Sequence, residues 1–279
     1  MSRVFRALEK AEKEKQEKTK EESSLKFFEE RAPSPIEERI LKPPEEKREE
    51  GRFPSREEIP ILIPPTNSFG AEQFRQLKTQ LFFRLSSPPH LILITSAVPG
   101  EGKTVVAVNL AMAISKEIQK KAILIDGDLR KPSIHLEKHS SAMGLSNYLS
   151  GQASLTEILL NGDVENLKVI LAGTVSKRSS ELIGSKGTEK LFRSLRESGD
   201  NTYVVIDSSP VLSSSEPVHL SRMVDGVVFV VRGGRTPKAS IERAVQSIDR
   251  KKIIGVVFNQ IDLKSSSTYS QYYHDYHRE

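Results

Sequence analysis

The sequence is 279 residues long, with 37% hydrophobic residues, 28% charged residues and a formal net charge of +5. Its apolar runs are too short to span a bilayer, and no N-terminal stretch resembles a signal peptide, so we expect neither a transmembrane helix nor secretion. The absence of cysteine excludes disulfides, thiolate metal sites and cysteine nucleophiles. The positive excess lies after residue 67, where 27 Lys and Arg stand against 21 Asp and Glu. This surplus suits an anionic ligand but is too dispersed to predict nucleic-acid binding.

The first 67 residues are predicted to form a charged helix and a linker. In residues 1–22, Val4, Phe5 and Leu8 fall at helical spacing. This predicts either a frayed, solvated helix or a docking helix for a partner or a membrane surface. Residues 23–67 contain eight prolines among runs of Glu. Such a stretch cannot bury enough apolar area to offset its ordering entropy, which predicts a linker.

From residue 68 to residue 264, short apolar runs alternate with helical patterns. Near-continuous apolar strands separated by helices predict a three-layer α/β domain with a mostly parallel central sheet. The predicted strands are 91–95, 122–126, 167–171, 203–207, 226–231 and 253–258, and the predicted helices are 71–85, 104–119, 154–161, 187–198 and 237–250.

A phosphate-binding loop follows the first predicted strand. Residues 96–104 read SAVPGEGKT and precede a helical run, which is the context of a Walker A loop, although Ala97 occupies its first glycine position. Small residues let backbone N–H groups approach phosphate oxygens, and the helix N-terminus adds a favourable dipole. Lys103 is predicted to reach the β- and γ-phosphates of ATP, and the Thr104 hydroxyl to bind Mg²⁺. The predicted nucleotide-binding residues of the loop are Pro99, Gly100, Glu101, Gly102, Lys103, Thr104 and Val105.

Two further predicted strands end in acidic residues, which is where an open α/β sheet places ligand chemistry. Asp207 is predicted to be the outer-sphere holder of Mg²⁺. Asp126 and Asp128 lie two residues apart, so on an extended segment both carboxylates would point to the same side. The pair predicts one further metal contact, assigned to Asp128, and one general base for a hydroxyl nucleophile. Asp126 is the favoured base, but the sequence does not separate it from Asp128.

From about Glu72 to the C-terminus, the sequence resembles the bacterial tyrosine kinases, the Walker-motif autokinases linked to capsule and exopolysaccharide synthesis. The resemblance rests on the phosphate loop, on residues 126–132 (DGDLRKP) and on the segment from Asp207 to Pro210, where Ser209 replaces one of the two prolines that the family usually has. Residues 144–151 and 180–182 also resemble segments of the family. The resemblance implies that Asn259 contacts the adenine. Arg130, within residues 126–132, is a candidate for stabilising charge or contacting a partner.

Two departures bear on assembly and on the choice of family. The helix beginning at Glu72 resembles the subunit-contact motif of these kinases, with Lys78 in place of the second Arg. Because Lys lacks bidentate carboxylate pairing, we expect weakened ring assembly. The septum-placing and partitioning ATPases carry a second lysine early in the loop, where this sequence has Val98. Val98 and the tyrosine-rich C-terminus favour the kinase over a partitioning-type P-loop ATPase that acts as a nucleotide-dependent dimer switch. A non-catalytic nucleotide-binding scaffold is the least favoured, because the loop residues Lys103 and Thr104 and the three acids are intact.

The C-terminus carries four of the six tyrosines within its last eleven residues. We predict an exposed, flexible tail over residues 265–279. The resemblance implies that the tail is autophosphorylated with ATP and Mg²⁺, usually in the active site of a neighbouring subunit of a homo-oligomer. It also implies a separate membrane chain-length regulator as partner, and hence a cytoplasmic protein held peripherally at the inner face of the membrane. The predicted phosphorylation sites are Tyr269, Tyr272, Tyr273 and Tyr276.

Overall fold

The computed structural model describes residues 69–83, 87–136 and 142–261. The predicted N-terminal helix, the linker and the four tail tyrosines lie outside these residues, and they stay predictions. A seven-stranded sheet forms the centre of the described part of the chain. Its strands are β1 (Leu91–Ser96), β2 (Lys121–Asp126), β3 (Leu160–Asn161), β4 (Leu167–Ile170), β5 (Thr202–Asp207), β6 (Gly226–Arg232) and β7 (Ile253–Asn259).

The strands follow the order β3-β4-β2-β5-β1-β6-β7. All neighbouring pairs are parallel except β3 with β4, which is antiparallel. β1 and β5 are buried along their whole length, as expected for strands covered on both faces. The predicted α/β class with a mostly parallel sheet is therefore confirmed.

Helices cover the two faces of the sheet. On one face, Leu110 and Ile114 pack with Ile92 and Ile94 of β1. On the other face, Leu91 and Leu93 of β1 pack in a second cluster with the helices that follow β2 in the chain. This alternation along one strand builds the three layers. The helices are α1 (Phe69–Phe83), α2 (Lys103–Ser115), α3 (Leu145–Leu149), α4 (Leu155–Ile158), α5 (Ser179–Ile183), α6 (Lys186–Arg196), α7 (Glu216–Met223) and α8 (Lys238–Gln246), and a 3₁₀ turn spans Arg250–Lys252.

Three predicted helices are clearly shorter than the sequence pattern indicated, and the one predicted over 237–250 spans only Lys238–Gln246. The helix predicted over 154–161 ends at Ile158, because Leu160 and Asn161 pair with β4 in a short hairpin. The helix predicted over 104–119 ends at Ser115, since the chain must turn back into β2 and Gln119 takes a left-handed φ of 62°. The short helices α3, α5 and α7 were not predicted.

α1 is tied to the end of α2 by an ion pair. The ammonium of Lys78 contacts the carboxylate of Glu117, and the side chain of Lys78 is 14% exposed. The hydrogen bond from Lys78 holds the pKa of Glu117 below its usual range, against a smaller opposing effect of burial. Lys78, predicted as a subunit-contact residue, is therefore engaged within its own chain.

Among the described helices, none combines the length and apolar character that a membrane crossing requires.

Candidate active site

The phosphate-binding loop leaves the end of β1 and runs into α2. Gly100 and Gly102 have φ angles of 81° and 87°, in the left-handed region that residues with a Cβ atom rarely adopt. α2 begins at Lys103, directly after Gly102, so the N–H groups of its first turn have no carbonyl partner within the helix. Such a loop and helix N-terminus can bind the phosphates of a nucleotide.

Glu101 anchors this loop to the rest of the sheet. Its carboxylate is buried and accepts the N–H of Val98 at 2.8 Å. The other carboxylate oxygen accepts the hydroxyl of Thr236 at 2.5 Å and the N–H of Arg232 at 3.3 Å. The predicted nucleotide contact of Glu101 can therefore come only from its backbone, since its side chain is turned into the protein. Thr236, which completes this anchor, was not found from the sequence.

Asn259 lies against the same loop from the end of β7. Its side-chain amide donates to the carbonyl of Glu101 at 2.9 Å. The approach is so close that a Cβ atom on Gly102 would lie 2.0 Å from the amide nitrogen of Asn259. Only glycine fits at this position while Asn259 keeps its place. The predicted contact of Asn259 with adenine stays a prediction.

Thr104 and Asp207 meet where β1 and β5 end side by side. The hydroxyl of Thr104 donates to Oδ2 of Asp207 at 2.6 Å, because the register of the two strands pairs Ile94 with Asp207. Oδ1 of Asp207 is buried without a hydrogen-bond partner among the described residues. Burial raises the pKa of the Asp207 carboxyl, and the hydroxyl of Thr104 and the charge of Lys103 oppose that rise.

These residues fit a Mg²⁺ ion that is shared with a nucleotide. Mg²⁺ takes oxygen ligands, and in nucleotide sites it is held by one or two carboxylates together with substrate phosphates. The hydroxyl of Thr104 and the unpartnered oxygen of Asp207 are such donors beside the phosphate loop. The described residues include no group of three or more acidic or imidazole side chains that could hold an ion by themselves.

Asp126 lies next to Asp207 on the neighbouring strand but is enclosed by the chain that follows it. The two aspartates are register partners on β2 and β5. The carboxylate of Asp126 accepts the N–H of Asp128 at 3.1 Å and those of Ser133 and Ile134, both at 3.0 Å. Burial raises the pKa of Asp126 well above its usual range, and the nearby charge of Asp207 adds to the rise. Asp126 therefore shapes the loop of residues 127–134.

Asp128 differs from Asp126 in its surroundings, because the two residues lie on a turn and not on the extended segment that the prediction assumed. β2 ends at Asp126, and the hydrogen bond from the N–H of Asp128 back to Asp126 closes a turn. Asp128 is half-buried, and its Oδ1 accepts the N–H of Lys131 at 3.0 Å. Arg130 is exposed beside it. The acid pair therefore combines one enclosed carboxyl and one that reaches the surface.

The loop after β5 is held by serine hydroxyls. Ser209, which replaces a proline of the resembled motif, shares a hydrogen bond of 2.5 Å with the hydroxyl of Ser214. Its carbonyl accepts the hydroxyl of Thr95 at 3.0 Å. The hydroxyl of Ser208 donates to the carbonyl of Ile94 at 2.9 Å. These bonds fix the loop against β1 without the restricted φ angle of proline.

Comparison with known proteins assigns this arrangement to a family. Residues 90–251 match the family described as an AAA domain. The chain is 30% identical over 216 residues to the tyrosine-protein kinase YwqD of Bacillus subtilis, a match that covers 76% of this chain and 90% of the relative. The chain belongs to the bacterial tyrosine-protein kinases.

Another relative and a solved structure agree with this assignment. The kinase domain of the Escherichia coli tyrosine kinase ETK matches with a TM-score of 0.65 and 26% identity, over 72% of this chain and 80% of that one. The succinoglycan biosynthesis transport protein ExoP of Rhizobium meliloti is 30% identical over 219 residues, which are 76% of this chain but 28% of ExoP.

In this kinase, residues after β4 flank the acid pair, and sequence reasoning assigned none of them a role. The N–H of Ser176 donates to the carbonyl of Leu129 at 3.4 Å, which places the segment 171–178 beside Asp128. Asn147, which is buried, accepts the N–H groups of Gly144 at 3.1 Å and Thr174 at 3.3 Å. The only signal in the sequence was the resemblance of residues 144–151 to the tyrosine kinases.

The kinase brings two backbone segments unusually close at this point. A Cβ atom on Gly144 would lie 2.2 Å from the carbonyl oxygen of Leu171, and one on Gly173 would lie 2.4 Å from Oδ1 of Asn147. The two glycines allow the segments to cross, and Asn147 bonds them together. The segment beside Asp128 is therefore fixed in position.

Proposed function

We propose that this chain is an ATP-dependent protein-tyrosine autokinase, which transfers the γ-phosphoryl group of Mg-ATP to the tyrosines of its own C-terminal tail. The observation that carries the proposal is the 2.6 Å hydrogen bond between Thr104 and Asp207 beside the phosphate loop. It joins the first turn of α2, directly after the phosphate loop, to the acid that ends β5. The acceptor sites are Tyr269, Tyr272, Tyr273 and Tyr276.

Binding of the nucleotide uses the loop and the residues around it. The N–H groups of the loop and the ammonium of Lys103 hold the phosphates. Thr104, Asp207 and Asp128 hold Mg²⁺, which neutralises part of the phosphate charge when it is bound. Asn259 lies at the edge of the loop, where the adenine is expected.

Transfer forms a bond between the tyrosine oxygen and the γ-phosphorus while the bond from that phosphorus to the leaving ADP oxygen breaks. The proton of the tyrosine hydroxyl goes to the acid pair. Asp126 has a pKa raised towards the working pH, which favours a general base. Asp128 is the more accessible of the two to a tyrosine hydroxyl, because it is half-buried whereas Asp126 is buried. Both carboxyls are therefore candidates for the base, and substituting Asp126 and Asp128 singly separates their roles.

The biological role that we propose is control of exopolysaccharide or capsule synthesis and chain length. The name of ExoP, succinoglycan biosynthesis transport protein, supports a role in polymer export. We further propose that the chain forms homo-oligomers and works with a separate membrane protein that regulates chain length, which would hold it at the inner face of the membrane. Each tail phosphate adds a charge of about −1.5 to −2, so several phosphates repel one another and release the tail.

The test is to incubate the purified full chain with Mg-ATP and to map phosphotyrosine by mass spectrometry, with ATP hydrolysis measured in parallel. We expect phosphate on the four tail tyrosines and none in the Lys103→Met control. Replacing all four tyrosines with phenylalanine should abolish the tail signal and preserve ATP binding. An unmodified tail in a chain that hydrolyses ATP, also after addition of a membrane activator, would instead support a switch-type ATPase.

A further inference from the structure

A buried carboxylate connects the phosphate loop to the segment between β6 and α8. Glu101, in the middle of the loop, is 1% exposed. One of its carboxylate oxygens accepts the N–H of Val98, and the other accepts the hydroxyl of Thr236 and the N–H of Arg232. Within the described part of the chain, no Lys or Arg side chain pairs with this carboxylate. These neutral donors therefore have to offset the cost of keeping the carboxylate out of water.

The hydroxyl of Thr236 is fully used by this contact. It has one proton to donate, which goes to Glu101 at 2.5 Å, while its oxygen accepts the N–H of Arg232 at 3.2 Å. The N–H of Thr236 donates to the carbonyl of Arg232, also at 3.2 Å, and closes a turn after β6. Gly234 has a φ of 67° within this turn, an angle that glycine adopts without strain. The turn thereby aims the hydroxyl of Thr236 at the phosphate loop.

The contact lies at the residue on which the conformation of the loop depends. Glu101 stands between Gly100 and Gly102, whose φ angles are 81° and 87°. Glycine populates positive and negative φ angles about equally, so these two residues permit the loop conformation but do not select it. The hydrogen bonds of Glu101 select it. They thereby orient the N–H groups on both sides, which are the groups that bind phosphate in such a loop.

Asn259 holds the same residue through a different group. Its amide donates to the backbone carbonyl of Glu101 at 2.9 Å, whereas Thr236 donates to the side chain. Asn259 ends β7, and Thr236 follows β6. Loss of the hydroxyl of Thr236 would leave the contact of Asn259 in place, so we expect a weakened phosphate loop and not a disordered one.

The turn that Thr236 closes also begins α8. Pro237 is the N-cap of this helix, and its carbonyl accepts the N–H groups of Ser240 and Ile241 at 3.0 and 3.2 Å. Ala244 is the one buried residue of α8, so its first turn has little packing of its own to hold it. The position of that turn therefore depends on the segment that bonds to Glu101.

We propose that Thr236 is a positioning residue, whose hydroxyl acts through Glu101 to hold the phosphate loop ready for a nucleoside diphosphate and to link the first turn of α8 to the bound nucleotide. The proposal rests on the nucleotide binding of the proposed function and does not use the transfer to tyrosine. A loop that spends time in other conformations binds with an apparent affinity reduced by the fraction of chains that are competent.

The experiment is a calorimetric titration of the full-length chain with Mg-ADP. Thr236→Val keeps a similar shape and removes the hydroxyl. We expect the Kd for ADP to rise about fivefold to thirtyfold, because a buried carboxylate loses a donor and fewer chains hold the loop ready. Thr236→Ser keeps the hydroxyl and should hold the Kd within about twofold of that of the unsubstituted chain.

A matched control and a double substitution make the result specific. Thr188 is buried in α6, and its hydroxyl donates to the carbonyl of Leu182 at 3.2 Å. Thr188→Val should lower the stability of the chain and leave the Kd for ADP unchanged. In a Glu101→Ala chain, which lacks the acceptor, adding Thr236→Val should change the Kd by less than about twofold, since the two residues act through one contact.

Hydrogen exchange tests the link to α8. Coupling between two sites is reciprocal, so bound ADP should slow the exchange of the N–H groups of Ser240 and Ile241. We expect this protection in the unsubstituted chain and in Thr236→Ser, and we expect Thr236→Val to lose it.

An unchanged Kd in a folded Thr236→Val chain would overturn the positioning role, and so would an equal rise with Thr236→Ser. Protection of α8 that persists in Thr236→Val would overturn the link to that helix. If Glu101→Ala does not fold, the comparison of the valine and serine variants decides. A chain that binds ADP as expected but never phosphorylates its tail would contradict the proposed kinase function alone, and these measurements would stand.

Discussion

Asp126 and Asp207 are two carboxyls buried at the ends of adjacent strands, and burial raises the pKa of both. In water an aspartate releases its proton near pH 4. Above that pH, the folded chain retains protons that the unfolded chain has released. Stability should therefore fall as pH rises from that range through the raised values, since the slope follows the difference in bound protons.

We predict that, without nucleotide and Mg²⁺, the free energy of unfolding decreases between about pH 5 and about pH 8. Asp126→Asn should flatten this dependence, because it removes one titrating group and the charge that acts on Asp207. Urea unfolding at several pH values measures the slope. Asp163→Asn, at an exposed position, is the control and should keep the dependence of the unsubstituted chain. If Asp126→Asn leaves the pH dependence of the free energy of unfolding unchanged, the carboxyl of Asp126 does not retain the proton in the folded chain.

The crossing of residues 142–147 with residues 171–174 is the element that lies beside Asp128. Gly173 and Gly151 have similar φ angles, 78° and 73°, but their surroundings differ. An added Cβ atom on Gly173 meets Asn147 at 2.4 Å, whereas nothing lies within 4 Å of one on Gly151.

We predict that Gly151→Ala costs about 1 kcal/mol of stability, from backbone strain alone. Gly173→Ala should cost about 2 to 4 kcal/mol, because the same strain is joined by overpacking. It should also slow tail phosphorylation, since it displaces the segment beside Asp128. Thermal unfolding and the labelling assay check both effects. Equal costs for the two substitutions would show that the crossing is not tightly packed.

The sequence allowed most long elements to be predicted, since short apolar runs bounded by Pro and Gly, such as residues 91–95, are typical of buried strands. It did not reveal α3, whose N-terminal N–H groups bond to the carbonyls of Leu171 and Ala172. Such a short helix depends on a partner more than twenty residues away, which no local pattern encodes.

The site residues also divide into those that the sequence predicted and those that depend on contacts between distant residues. Motif spacing led to the phosphate loop and to the acids at the ends of β2 and β5. It did not lead to Thr236, which bonds to Glu101 across 135 positions of sequence. It also placed Asp126 and Asp128 on one extended segment, because a turn closed by a side chain cannot be distinguished from an extended segment by spacing alone.

At the scale of the whole molecule, the ion pair of Lys78 with Glu117 bears on assembly. The motif around Lys78 was expected to contact other subunits, but this ammonium is engaged within its own chain. We therefore expect Lys78 to contribute to the stability of the single folded chain and not to contacts between subunits.

We predict that Lys78→Met lowers the free energy of unfolding by about 1 kcal/mol, in the range of partly exposed ion pairs, and leaves the oligomeric mass unchanged. Urea unfolding and multi-angle light scattering measure the two quantities. Lys78→Arg retains the charge and should recover most of the stability. A lower oligomeric mass with an unchanged free energy of unfolding would show instead that Lys78 contacts another subunit.

The amide of Asn259 also decides how much of the C-terminus the kinase can lose. Ending the chain at Ile261 removes all four tail tyrosines and leaves Asn259 bonded to the carbonyl of Glu101. Ending it three residues earlier removes Asn259 as well, so that the carbonyl loses its donor and the space in front of Gly102 opens. A truncation that removes only the tail therefore has to end between Asn259 and Ile261, and a shorter chain also loses a contact that holds the phosphate loop. A shortened protein will report on the tail alone only if it keeps Asn259.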